Sequence, residues 1–190
     1  MKPDPRRWIA CIALLVGMSA TPAAADSPSG VSADAAEAIR MIESDDTYQH
    51  QLGFMRLEAL REPATVPFVR AYLRHEKPEL RAASIRALAA IEGLPSIPDV
   101  IKALTADRDA DVRRAALLGI EPFEPADPRV LPAMLTALRD RDPDVRITAV
   151  DAVSRVEHGP AREAILDRNR REGNRNVRRA LTLAMKRLSL

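Results

Sequence analysis

The sequence predicts an all-α fold, a superhelical solenoid of about five helical hairpins. A nine-residue segment of mainly apolar and small residues, beginning with Leu-Arg or Val-Arg, occurs four times. The four copies begin at Leu80, Val112, Val145 and Val177, at intervals of 32, 33 and 32 residues. Constant self-similarity at this period is typical of helical solenoids, and no stretch shows the alternation of a β-strand.

Each copy has apolar residues at i, i+4, i+5, i+7 and i+8, approximately so in the last copy. This spacing predicts the buried face of a helix. A small residue recurs at i+7, where we expect a neighbouring helix to approach closely. These residues are Ala87, Gly119, Ala152 and Ala184.

A second helix is predicted before each repeated segment. Three of these helices carry a proline in the first turn, Pro67, Pro98 and Pro132, where its missing N–H has no partner to lose. The fourth, from Pro160 to about Arg171, is looser. Upstream, 33–42 and 46–61 predict a degenerate first pair. Its repeat positions hold Leu52, Leu57, Ala59 and Leu60.

The N-terminus has the layout of a secretory signal peptide over residues 1–25. Basic residues precede the apolar run 8–18, and Ala23–Ala25 supplies small residues for cleavage. We expect export to a periplasm or the exterior; an uncleaved anchor is the alternative. The remaining chain divides into 26–44, an N-terminal segment with the first helix, and 45–190, the repeat domain, and we expect no transmembrane span after cleavage.

Without residues 1–25 the chain has 26 basic and 26 acidic residues, and so no net charge. The single Trp and the single Cys lie in the leader, which excludes thiol catalysis and cysteine-ligated metals in the mature chain. Aromatic residues are too few to stack on bases, so nucleic acid is not favoured as a partner. Charge is uneven: residues 26–62 carry −5 and residues 158–190 carry +6.

The first-helix prolines and the Asp-x-Asp-Val-Arg motifs at 109–113 and 142–146 resemble HEAT repeats. They are closest to the short bacterial type also found in phycobilin lyase subunits, over roughly residues 45–190. Two repeats depart from the motif, with Lys77–Glu79 and Asn174–Asn176 in its place. The resemblance implies a scaffold or adaptor. It also implies a structural ladder of arginines bonded to acidic turns. The ladder would comprise Arg81, Arg113, Arg146, Arg178, Asp109, Asp111, Asp142 and Asp144.

The acidic turns have a second interpretation. Carboxylates at positions 1, 3 and 5 of each turn match a calcium loop, but valine stands where that loop needs glycine. Asp109, Asp142 and Asn174 are better interpreted as N-caps. The three histidines are scattered, and no catalytic constellation appears. We therefore expect no enzyme activity, no cofactor and no metal.

In HEAT-like solenoids the second helix of each hairpin lines the concave side, and its non-core positions are i+2, i+6 and i+10. Leu118, Ile147 and Leu183 are apolar at such positions, with arginines around them, as in protein interfaces. The alternative is a register error that places them against a neighbouring helix. The predicted partner-binding residues are Arg86, Arg114, Leu118, Ile147, Asp151, Arg155, Arg179 and Leu183.

The sequence therefore predicts an exported, non-catalytic scaffold that binds a protein or peptide through its concave face. An accessory subunit that binds a small ligand, or assists modification of an envelope protein, is the alternative. A weaker alternative is polyanion binding through the basic C-terminal repeat. The residues concerned are Arg162, Arg168, Arg170, Arg171, Arg175, Arg178 and Arg179.

Overall fold

Ten α-helices follow one another in five hairpins in a computed structural model that describes residues 30–156 and 159–190. The predicted signal peptide, 1–25, lies outside the described residues. No strand occurs within them. The helices are α1 Ala33–Ile42, α2 Thr47–Leu60, α3 Val66–Tyr72, α4 Pro78–Glu92, α5 Ile97–Ala106, α6 Ala110–Ile120, α7 Val130–Ala137, α8 Pro143–Val153, α9 Gly159–Arg171 and α10 Arg175–Arg187. The predicted all-α solenoid is confirmed.

The second helix of each hairpin begins after an N-cap in the extended conformation. In α6, α8 and α10 the cap is Asp109, Asp142 or Asn174, whose side chain accepts two backbone N–H groups at 2.8 to 3.3 Å. Asp46 caps α2 in a similar way, by accepting from Tyr48 N. Lys77 stands at the same place before α4 without a side-chain bond. These five caps fix one register for all five second helices.

The first helices are shorter and irregular at their starts. Short 3₁₀ turns at Pro63–Thr65 and Leu94–Ser96 lead into α3 and α5, and a third, Glu121–Phe123, extends α6. Prolines enter at these starts because the first turn of a helix has N–H groups without intrahelical partners.

The two layers of helices are packed unequally. Each of the even-numbered helices packs closely on the next, α2 on α4, α4 on α6, α6 on α8 and α8 on α10, whereas consecutive odd-numbered helices make fewer contacts. We expect a double layer to curve toward its more tightly packed side, which would place the even-numbered helices on the inner side of the curve. At the small i+7 position, a Cβ on Gly119 would lie 3.4 Å from the Ala89 Cβ, which shows how closely α4 and α6 approach.

The core consists of two main clusters. One lies in the first two hairpins around Phe54 and Leu57, and the other extends from α4 to α10 and includes Leu117 and Leu181. A small cluster of Ala82, Val112 and Ala115 lies between α4 and α6. None of the helices described is long and apolar enough to cross a membrane.

Candidate protein-binding face

The face of the even-numbered helices opposite the core carries one aligned row of exposed side chains. Each member lies nine residues after the N-cap of its helix, so each helix contributes one. We call this the inner row. Its members are Met55, Arg86, Leu118, Asp151 and Leu183, and all five are exposed.

The three apolar members of the inner row are unusually open to solvent. Met55 and Leu183 are 59% exposed and Leu118 is 48% exposed, among the most exposed large apolar side chains described. Scattered single apolar residues need no explanation, but these three recur in register, separated by one charged residue each. The prediction that Leu118 and Leu183 face solvent therefore matches their placement.

Met55 was not predicted as a member of this row, because the sequence analysis aligned the first hairpin with the other repeats in a different register. The sequence prediction placed Leu52, Leu57, Ala59 and Leu60 at the repeat positions. Leu57 is fully buried in the N-terminal cluster, and the cap at Asp46 places Met55 at the inner-row position instead. The N-cap at Asp46 was the feature that could have given this register.

Ile147 was predicted to be an exposed partner-binding residue, but the structure places it in a half-buried position. It lies five residues after the N-cap of α8 and packs, half-buried, against the larger core cluster. Ala82, at the same position in α4, is 7% exposed and belongs to the small cluster between α4 and α6. Side chains at this position lie between neighbouring second helices. Ile147 is therefore not part of the accessible face.

The charged residues of the face form ion pairs across hairpins. The Arg155 guanidinium contacts both Glu121 and Asp151, and Arg187 reaches Asp151 at 3.2 Å and the Ser154 hydroxyl at 2.6 Å. Glu121, from the turn after α6, was missed because nothing in a single sequence relates it to Arg155. The network holds α6, α8 and α10 in fixed positions below the row.

The other predicted cations have different surroundings. Arg86 lies 3.5 Å from Glu58, whose pKa is raised because burial outweighs the attraction of that guanidinium. Arg114 donates to Asp111 at 2.8 Å on its own helix. Arg179 is exposed, with no side-chain partner among the described residues. Arg179 is thus free to meet a ligand, while Arg86 and Arg114 are already partly occupied.

Arginines in the repeated segments connect consecutive hairpins. Arg81 donates to both carboxylate oxygens of Asp107 at 2.8 and 2.9 Å, and Arg113 to those of Asp140 at 2.7 and 2.8 Å. Arg146 makes the same contact with Glu172 at 3.0 and 3.2 Å. Each carboxylate belongs to the turn of the following hairpin. This bidentate geometry is the strongest form of such a pair.

The carboxylates in these pairs are not the predicted ones. Asp109 and Asp142 are N-caps, Asp111 pairs with Arg114, and Asp144 donates its backbone N–H to Asp142. The partners instead lie two residues before each cap, because that residue begins the turn and faces the preceding hairpin. Arg178, the fourth predicted member, is exposed and has no such partner in the described chain.

The arginine pairs stabilise the ionised carboxylates. Burial raises the pKa of Glu172, but the Asn174 N–H and the guanidinium groups of Arg146 and Arg168 outweigh it and lower the pKa to about 2. The same balance, with Arg81 or Arg113 as the main opposing group, lowers the pKa of Asp107 and Asp140. These three groups are therefore fixed charges at neutral pH.

Two small clefts lie between helices of the odd-numbered layer. A cleft of about 270 Å³ lies between α7 and α9, and one of about 240 Å³ lies between α5 and α7. Arg139 lines both, and Asp167 and Arg168 make the first one polar. Pockets for small ligands are usually larger and mostly apolar. Residues 30–156 and 159–190 contain no group of three or more His, Asp or Glu placed to hold a metal ion.

Known proteins share this architecture. The family model for HEAT repeats matches twice, over residues 23–121 and 97–186. A solved structure of similar fold is a chain from the complex of CpcE and CpcF of phycocyanin lyase from Nostoc sp. PCC7120. It is 21% identical, with a TM-score of 0.67, over 80% of this chain and 98% of that one. A search of curated protein sequences gave no match. This protein belongs to the HEAT-repeat family.

Proposed function

We propose that this protein is a non-catalytic scaffold that holds a protein segment along its inner row. The observation that carries the proposal is the regular placement of Met55, Leu118 and Leu183, each exposed and each on an alternate second helix. Interfaces gain most of their affinity from a few residues near their centre, surrounded by contacts that exclude water.

The spacing of the anchors favours an extended segment. Packed helices lie about 8–10 Å apart, so alternate helices are about 16–20 Å apart. An extended chain advances about 3.3 Å per residue. A ligand that meets two successive anchors therefore presents apolar side chains about five or six residues apart.

Charges between the anchors would select the intervening residues. Arg86 lies between Met55 and Leu118, and Asp151 lies between Leu118 and Leu183. An acidic partner residue in the first interval can reach Arg86, whereas Asp151 is already paired with Arg155 and Arg187 and attracts a basic residue only weakly. Such pairs contribute more to specificity and orientation than to affinity.

Export is part of this proposal. The leader-like pattern of residues 1–25 supports it, so the partner is to be sought in the cell envelope. The mature chain, residues 26–190, is used as bait in an envelope extract of the source organism. The captured protein is then purified and titrated against the bait by calorimetry.

The decisive variant is Leu118→Asp with Leu183→Asp. Both residues are exposed, so the double variant should fold, and we expect its affinity to fall at least about tenfold because two anchors are replaced by charges. Leu94→Asp is the matched control, since Leu94 is 44% exposed but lies in a turn away from the row. Equal binding by the double variant and the wild type would refute the assignment of this face.

An accessory role in modification of an envelope protein is the second candidate. It is supported by the likeness to a chain from a lyase complex, which at 21% identity concerns the fold. Mass spectrometry of the captured partner distinguishes the two roles. A covalent group that is lost when this protein is absent would favour the accessory role, and an unmodified partner would favour the scaffold.

A further inference from the structure

The geometry of the arginine pairs is the same at each junction between inner hairpins. The Nη1 group donates to a turn carbonyl six residues earlier, as from Arg113 to Asp107 at 2.9 Å and from Arg146 to Asp140 at 2.8 Å. This contact orients the guanidinium so that its Nε and Nη2 edge points to the next hairpin. A carboxylate of that hairpin then accepts both N–H groups.

Arg178 occupies the same place in α10. It lies four residues after the cap Asn174, as Arg113 does after Asp109 and Arg146 after Asp142. No hairpin follows α10 in the part of the chain that the structure describes. The guanidinium of Arg178 is exposed, and no described residue accepts a hydrogen bond from it.

The surface around Arg178 is polar and cationic. Thr182 is exposed where the inner hairpins have buried Ile85, Leu117 and Val150. Another hairpin of the ordinary kind would not find its usual apolar contact here. Residues 159–190 contain nine basic and three acidic side chains.

Several of these cations have no side-chain partner within residues 30–156 and 159–190. Arg162 donates to Leu188 O and Arg168 donates to Glu172, and Arg171 forms an ion pair with Asp167 at 3.0 Å. The cations left without a side-chain partner among the described residues are Arg170, Arg175, Arg178, Arg179 and Lys186. Of the seven arginines that the sequence proposed for polyanions, three are therefore already engaged.

We propose that the α10 end is a second docking surface, independent of the inner row, for an acidic turn of a different protein. A carboxylate of that turn binds the Nε and Nη2 edge of Arg178 as Asp140 binds Arg113. Charge complementarity and the place of Arg178 in the repeat support this occupant, and the orienting contact to the turn carbonyl six residues earlier would form together with the pair. A planar guanidinium edge matches two carboxylate oxygens better than a lysine does.

A second copy of this chain fits less well. The residue of the first hairpin that corresponds to Asp107 and Asp140 is Ser44, six residues before His50. A copy stacked on α10 would place a hydroxyl opposite Arg178. A partner of different sequence is therefore favoured.

The probe is a synthetic peptide of residues 137–146, which contains the acidic turn of the fourth hairpin and has no net charge. Binding to the 26–190 chain is followed by the NMR resonance of the Arg178 Nε–H group, assigned with Arg178→Lys. We expect this resonance to shift on titration. Arg178→Lys in the protein, or Asp140→Asn in the peptide, should weaken binding at least about fivefold, because each removes the bidentate pair while Lys keeps the charge.

Arg175→Lys is the matched control, because Arg175 is an exposed cation of the same helix. Its affinity for the peptide should equal that of the wild type, and neither substitution should change the thermal midpoint. No movement of the Arg178 resonance at millimolar peptide would overturn the proposal. Equal losses from both Lys variants, with tighter and strongly salt-dependent binding of a single-stranded oligonucleotide, would indicate a polyanion site instead. Self-association in sedimentation that Arg178→Lys abolishes would assign the surface to a second copy.

Discussion

Individual arginines join the hairpins of this solenoid. Arg81 and Arg113 are almost completely buried, at 6% and 4% exposure. The Nε and Nη2 groups of each nevertheless both donate to a carboxylate. Removing a charge from water is costly unless a partner is present, so these residues are tolerated only in the stacked arrangement. We expect them to contribute more to correct stacking than to net stability.

The junction between the first two hairpins uses histidines in the same two places. His50 stands at the arginine position and its Nε2 contacts the Ser44 carbonyl, as Arg113 contacts Asp107 O. His75 stands at the carboxylate position, and its Nδ1 accepts the Lys77 N–H at 3.1 Å. Among the described residues, the buried Nδ1 of His50 has no hydrogen-bond partner. This junction therefore lacks the arginine–carboxylate pair of the later turns, and its ion pair is the one between Glu58 of α2 and Arg86 of α4.

Stability should consequently fall in mild acid. Burial lowers the pKa of His75 most strongly; Lys77 and His50 lower it further, and Glu76 and Glu79 oppose them. Because the folded pKa is below the unfolded value, the folded state resists protonation, and stability present at neutral pH is lost as pH falls through about 6.5. We expect the thermal midpoint, measured by circular dichroism, to be lower at about pH 5.5 than at about pH 7.5.

The matched variant is His50→Arg with His75→Asp, which restores the pair found at the later junctions. Its midpoint should be nearly constant over the same interval, because an arginine–aspartate pair does not titrate there. The same loss of midpoint in both proteins would show that the titrating group lies elsewhere.

At the scale of the helical element, the first hairpin depends on one glycine. A Cβ on Gly53 of α2 would lie 2.6 Å from the Ala38 carbonyl oxygen and 2.6 Å from Ile42 Cγ1 of α1. Contacts below 3.0 Å with backbone cannot be relieved by a side-chain rotation. The two helices are therefore packed at a distance that only glycine permits.

Gly53→Ala should lower the free energy of unfolding by about 1–3 kcal/mol through overpacking. Gly173→Ala is the control, since a Cβ there meets nothing within 4 Å and the backbone φ is not positive. Its effect should stay within about 0.5 kcal/mol, or be a small gain. Urea denaturation measures both, and equal effects would mean that α1 moves away from α2 at little cost.

The helices could be predicted from the sequence because apolar spacing, N-caps and first-turn prolines are all local features of the chain. The first was expected at 33–42 and lies at Ala33–Ile42; the second was expected at 46–61 and lies at Thr47–Leu60. The register of the second helix was harder to predict. The arginine that begins the alignment of the other repeats is replaced there by His50. Met55 was missed from the inner row for that reason.

The ladder carboxylates could not be chosen from the sequence. The turns before α6 and α8 each hold three aspartates two positions apart, and all are plausible partners by composition. The choice depends on which one faces the preceding hairpin, a property of the packing. In the last turn the partner is Glu172, so the pattern of aspartates is also broken.

At the scale of the whole molecule, the core is divided along the chain. Leu57 belongs to the cluster of the first two hairpins, and Leu181 belongs to the cluster that fills the later ones. From α4, only Ile85 and Ala89 are buried in the second cluster. Repeat proteins transmit stability mainly between neighbours, so a distant hairpin should sense a core defect weakly.

Leu57→Ala and Leu181→Ala test this division, because both leucines are fully buried and lose the same atoms. Each substitution should lower the free energy of unfolding of its own cluster by about 2–5 kcal/mol. In native-state hydrogen exchange, Leu57→Ala should speed exchange in α1 to α4 and leave α8 to α10 protected, and Leu181→Ala should do the reverse, because local openings follow the stability of each unit. Uniformly faster exchange along the chain in either variant would mean that the arginine ladder couples all five hairpins into one cooperative unit. In that case a ligand on the inner row would stabilise the whole solenoid rather than the hairpins it touches.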